Sequence, residues 1–132
     1  MTIDCECRLR ITSGKVAMAL IDGSPIGLRN FARLLEADAD EIKVVMGTST
    51  ILRKRSENPL LRVSLKGDCL TVEGDNHALG GFCQTIMGVA DDAESAKDRT
   101  IKRHAHIEYL GDGDRWRASD SFPLLITADW PS

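Results

Sequence analysis

Residues 5–12 alternate without a break: Cys5, Cys7, Leu9 and Ile11 fall on one side, Glu6, Arg8, Arg10 and Thr12 on the other. A period of two is the signature of a half-buried strand. Ser13-Gly14 predicts a two-residue turn, with Lys15–Asp22 returning as the hairpin partner. Gly23-Ser24-Pro25 then changes the period. Ser24 is a suitable N-cap, because its hydroxyl can accept from an orphan backbone N–H, and Pro25 at the first helical position loses no hydrogen bond. Leu28, Phe31 and Leu35 follow at helical spacing, which predicts a helix to about Ala37. Two strands are expected near Glu41–Gly47 and Thr50–Arg55. Another pair is expected at Leu60–Lys66 and Cys69–Glu73, turning at Gly67-Asp68.

The pattern then repeats. Asp75 caps a second helix with Leu79, Phe82, Cys83, Ile86 and Ala90 on its apolar face, followed by a polar loop over Asp91–Arg99. Strands are expected at Ile101–Leu110, Arg115–Ala118 and Phe122–Ala128, with Gly111–Asp114 as a turn. Ala19–Asp40 lies over Leu70–Asp91 without a gap: Leu28 falls on Leu79, Phe31 on Phe82, Leu35 on Ile86. With two insertions, Ile42-Lys43 falls on Ile101-Lys102, and Pro59-Leu60-Leu61 on Pro123-Leu124-Leu125. The chain reads as one domain of two repeats, about 5–66 and 60–128, each strand–helix–strand–strand–strand. Two amphipathic helices cover one face of a sheet, so the expected fold is α+β. It is a two-layer sandwich with about nine short antiparallel strands and both helices on one side. Gly80-Gly81 inside the second helix costs roughly 1 kcal/mol per glycine relative to alanine. Close approach of the helix backbone to the sheet or to the other helix is the expected compensation.

Bulk composition excludes more than it identifies. A chain of 132 residues with 42% hydrophobic and 28% charged residues is long enough to bury a core. A net charge of −3 argues against a nucleic-acid binder. No run approaches the roughly 18 apolar residues of a membrane span, and the N-terminal residues lack a secretory pattern. Cys5, Cys7, Cys69 and Cys83 fit no zinc or redox spacing, which suits reduced thiols in the cytoplasm. No phosphate-loop or nucleophile-elbow pattern occurs, and no cofactor is expected.

The sharpest local constellation is His104-Ala105-His106-Ile107-Glu108-Tyr109. On a strand, His104, His106 and Glu108 stand in a row on the face opposite Ala105, Ile107 and Tyr109. That row spans about 13 Å, too far for one ion to reach all three without a bulge. A metal on His104 and His106 with an outside ligand such as Asp112 stays open beside a partner-facing polar row. The carboxylates Asp91, Asp92 and Glu94 form an acidic rim suited to steering a basic partner. Trp116, between Arg115 and Arg117, is an anchor candidate, since Trp and Arg often dominate interfaces.

From Leu70 to Ile126 the order is strand, glycine, capped helix, His-x-His-Ile-Glu-Tyr, a Gly/Asp turn and Ser121-Phe122-Pro123-Leu124-Leu125-Ile126. This segment resembles the immunity protein 32 family of bacterial polymorphic toxin systems. The resemblance implies a cytosolic protein that neutralises a cognate toxin by binding, with no chemistry of its own. The first repeat departs from it, having Val44-Val45-Met46 at the histidine strand. A small adaptor domain, a homodimer closed across the open sheet face, and a metal-dependent enzyme built on the His-x-His-x-Glu strand are the alternatives.

Overall fold

A computed structural model describes residues 2–4, 6–12, 17–96, 103–107 and 117–128. Its strands are β1 (Thr2–Asp4), β2 (Arg8–Thr12), β3 (Met18–Gly23), β4 (Glu41–Met46), β5 (Ser49–Arg55), β6 (Arg62–Lys66), β7 (Cys69–Gly74), β8 (Arg103–Ile107) and β9 (Leu124–Ala128). The helices are α1 (Pro25–Leu35) and α2 (Asn76–Ser95). The α+β class holds. The single antiparallel sheet does not: the strands form two mixed sheets, β4-β5-β7-β6 and β2-β3-β9-β8, with short β1 added parallel to β4.

Two-residue turns close the antiparallel hairpins β4–β5 and β6–β7, while β2–β3 and β8–β9 pair antiparallel across longer connections. Each sheet then joins one hairpin from each half through a central parallel pair. Ala19 of β3 faces Leu124 of β9, and Leu70 of β7 faces Ile51 of β5. Ala19 and Leu70 are equivalent in the ungapped alignment, so Leu124 is the counterpart of Ile51. The repeat is therefore a hairpin, a helix and a second hairpin, related by a pseudo-twofold axis.

Two sequence correspondences change with it. Pro123-Leu124-Leu125 matches Thr50-Ile51-Leu52, not Pro59-Leu60-Leu61. Because Val44 faces Ile51 and Ile107 faces Leu124, Ile42 matches Ala105, not Ile101. Short alternating strands align acceptably in several frames, and the insertions left that choice free.

Several element ends differ from those expected. Cys7 lies in a bend, and the strand expected from Cys5 begins only at Arg8, as β2. Thr12 pairs with Met18, a wider connection than a two-residue turn; Ser13-Gly14 themselves lie outside the described residues. The second helix continues through the expected loop to Ser95, because Val89, Ala90 and Ala93 extend its buried stripe. Four polar residues masked that continuity. Ile101, Lys102 and Leu110, and the expected Gly111–Asp114 turn, also lie outside the described residues. Of the expected strand at Arg115–Ala118, Arg117 forms a bridge to Leu61.

Both helices begin as their caps dictate. Ser24 Oγ accepts from Gly27 N–H at 3.0 Å and Asp75 Oδ1 from Ala78 N–H at 2.8 Å. A glycine precedes each cap for steric reasons. A Cβ at Gly23 would stand 2.6 Å from Cys7 Sγ, and one at Gly74 would stand 2.8 Å from Ala78 Cβ. The helices pack antiparallel on a continuous core in which Phe31 and Phe82 are the largest fully buried side chains.

Candidate functional site

Strand register places His104 in a polar row across the second sheet. His104 faces Thr127, Thr127 faces Asp22, and Asp22 faces Arg8. Ile21, Ile126 and Ile107 are buried on the helix side, so this row lies on the opposite face. His104 and Arg8 at its ends are exposed. Asp22 and Thr127 in its middle are only 1% and 6% exposed. Asp22 Oδ2 accepts from Arg10 Nη2, while its Oδ1 is buried with no hydrogen-bond partner among the described residues. Neighbouring strands are about 4.8 Å apart, so Asp22 and His104 stand about 10 Å apart across Thr127. The row thus offers solvent its imidazole and guanidinium ends, while the carboxylate and hydroxyl between them are covered.

The equivalent row on the first sheet is Arg62, Glu73, Lys54 and Glu41. It alternates in charge, and Arg62 pairs with Glu73 at 3.7 Å. Burial of the acidic member is thus particular to the second sheet. Alternation revealed the histidines, but Asp22 and Thr127 were not legible as their neighbours, because parallel pairing of β3 with β9 brings them together.

The acidic rim belongs to the last turns of α2 and lies on the other side of that sheet. Arg29 of α1 reaches across to it, donating from Nη2 and Nε to Asp91 Oδ1 at 2.7 and 3.2 Å and pairing with Glu94. Hydrogen bonding to Glu94 and then Asp91 holds the Arg29 guanidinium above its ordinary pKa. The same bond to Arg29 holds Glu94 below the usual glutamate range. Two of the three carboxylates therefore clasp the helices together. Asp92 instead lines an open concavity of about 390 Å³ with Ser95, Ala96 and Arg103.

The structure does not unite the rim with His104. Arg117 is half-buried at its bridge to Leu61, away from the exposed set expected of an anchor. Glu108, Arg115 and Trp116 lie outside the described residues, as do the side chain of His106 and Asp112. Among the described residues, no group of three or more His, Cys, Asp or Glu is placed to hold a metal ion.

A third surface was missed. On α2, Asn76, His77, Gly80, Gln84, Gly88, Asp91, Asp92 and Ser95 are exposed. Spacings of three and four make them one continuous outer stripe. A Cβ at Gly80, Gly81 or Gly88 would meet nothing within 4 Å. The expected close approach of this helix backbone to the sheet or to α1 is therefore absent. Gly80 and Gly81 instead form the floor of an open trough of about 510 Å³, flanked by His77, Gln84 and Thr85. The first repeat has Arg29 and Asn30 at these two positions, so the trough exists in one copy only. That asymmetry was the available signal.

No helix among the described residues is long and apolar enough to cross a membrane. No family model matches the chain, and no curated protein is similar to it.

Proposed function

We propose that this protein neutralises a cognate bacterial toxin in the cytoplasm by binding it, without chemistry of its own, and that the outer face of α2 is the contact surface. The observation that carries the reading is the glycine trough. Gly80, Gly81 and Gly88 each lower helix propensity by roughly 1 kcal/mol relative to alanine. Nothing among the described residues uses the space they leave. A partner that packs closely on the helix backbone would use it.

The surroundings suit that role. Twenty residues of helix span about 30 Å, enough for an interface burying about 800 Å² per partner. Because the helices are antiparallel, Ile26 at the start of α1, 65% exposed, stands near the acidic end of α2 and offers an apolar anchor. Asp92 and a net charge of −3 favour a basic partner. The resemblance of residues 70–126 to the immunity protein 32 family supplies the partner class. The polar row through His104 is a separate surface, suited to a second contact.

The test is a pull-down of the tagged chain with the product of its upstream gene, followed by growth rescue on co-expression. Capture and rescue, both weakened by Gly80→Arg with the fold retained, are expected. Failure of capture and rescue would overturn the toxin reading. A doubled mass in solution would redirect it to a homodimer.

A further inference from the structure

The two repeats differ in chemistry at a pair of positions on equivalent strands. Ile126 and Ala128 of β9 are completely buried in the core. Their counterparts on β5, by the register that equates Leu124 with Ile51, are Arg53 and Arg55. Arg53 is only 3% exposed, a guanidinium where the other copy places a methyl-rich side chain.

Its described contacts do not neutralise it. Arg53 Nη2 donates to the carbonyl oxygens of Ala37 at 3.2 Å and Ala39 at 2.6 Å, beyond the end of α1. Neither carries a formal charge, and no carboxylate forms a salt bridge with Arg53 among the described residues. Among the described residues its Nε is buried with no hydrogen-bond partner, as is the Nε of Arg55. Burial, and next the adjacent Arg55, hold Arg53 below the usual arginine pKa. A buried charge left in this state is expensive unless something pairs with it.

Both arginines line a cleft of about 160 Å³ between the C-terminal end of α1 and the first turns of α2. Leu35, Leu79 and Cys83 form its apolar wall, and Asn76 stands at its rim. Cys83 cannot serve as the counter-ion: burial, and then Glu36, push its thiol up to about 11, so it stays neutral. Glu36 also lines the cleft but is exposed and forms no salt bridge with Arg53. Arg55 is held by Asp38 at 3.1 Å and Asp40 at 3.7 Å, both more than 90% exposed. Such exposed pairs are weak and exchange readily.

We propose that this cleft binds a compact oxyanion of phosphate size, with the guanidinium groups of Arg53 and Arg55 as its donors. Guanidinium groups suit this ligand, since their planar forks match oxyanion geometry. The volume accommodates one such group with little room beyond it, which excludes a nucleotide as a fully enclosed ligand. An anion there would supply the charge that the Arg53 environment lacks. The proposal does not rest on the toxin-binding reading, although the cleft shares Asn76 and Gly80 with the trough.

The experiment is a titration of the isotope-labelled full chain with inorganic phosphate at constant ionic strength, following the arginine Nε–H resonances. Sodium chloride is the control, and sulfate and acetate separate tetrahedral from planar oxyanions. The expected result is a saturable shift of two resonances, those lost in R53I and R55K, with the other arginines unmoved. Thermal stability should rise with phosphate in the wild type but not in R53I, which restores the residue type of the other repeat. R55K should weaken binding about tenfold, because lysine lacks the fork. Unmoved resonances, or equal movement of every arginine, would overturn the proposal. The wild-type titration decides it even if R53I does not fold.

Discussion

Phe31 and Phe82 occupy equivalent places on α1 and α2, and both rings are completely shielded from solvent. Each sits seven residues after its cap, Ser24 or Asp75, on the buried stripe of its helix. Their equivalence is the packing counterpart of the duplicated sequence. Phe31→Ala and Phe82→Ala should therefore destabilise alike, each by about 3–5 kcal/mol. Chemical denaturation of the two variants checks this. A loss near zero at either position would break the repeat.

The glycines within the second helix differ from the one just before its cap. Gly80→Ala and Gly88→Ala should each raise stability by up to about 1 kcal/mol, since helix propensity improves and the added methyl meets nothing. Gly74→Ala should lower it, because its Cβ would stand 2.8 Å from that of Ala78. Thermal melts give these signs directly. The binding reading adds a second readout: the stabilised Gly80 variants should capture the partner less well. Improved stability with unchanged capture would remove the trough from the interface.

Arg29 and Glu94 make a pH-dependent clasp between the helices. The native Glu94 carboxyl titrates below its ordinary value of 4.5 because it bonds Arg29. Its contribution to stability is thus fully present above that ordinary value. It is lost as pH falls through the lower native one. Melting temperature followed from neutral pH downward should show a decrement in the wild type that is smaller in Glu94→Gln. Added salt should shrink it, since the pair is exposed. Parallel curves for the two proteins would mean that the clasp does not contribute.

Asp92 is the carboxylate with which to probe steering. Reversing Asp91 or Glu94 would also break the bonds to Arg29, confounding binding with helix packing. Asp92→Lys should leave stability within about 0.5 kcal/mol, as expected of a surface change. It should slow association with a basic partner and weaken the salt dependence of the rate. Stopped-flow or surface-based kinetics would reveal it; an unchanged on-rate would reduce Asp92 to solvation of the helix end.

The polar row on the second sheet calls for a paired comparison. His104→Ala, at an exposed end, should change stability by no more than about 0.5 kcal/mol. Asp22→Ala, at its buried middle, should cost about 1–3 kcal/mol through the lost bond to Arg10. Equal effects would mean that the row is not layered in this way.

Local chemistry made much of the chain legible before any tertiary contact was considered. The Ser24 and Asp75 caps and the helical stripes through the two phenylalanines all came from neighbours within a few residues. So did the hairpin strands from β4 to β7. The facing of β8 also followed, with Ile107 inward and His104 outward, because a strand has only two sides.

What the chain could not disclose was which hairpin meets which. The parallel pairs β3–β9 and β5–β7 join residues far apart in sequence, and alternation looks the same whichever strand lies alongside. That choice turned one expected sheet into two, brought Asp22 beside Thr127 and His104, and aligned Arg53 with Ile126. It also left Gly80 and Gly81 facing outward, since only the packed arrangement of helices on sheets decides whether a glycine backs onto a neighbour or onto solvent.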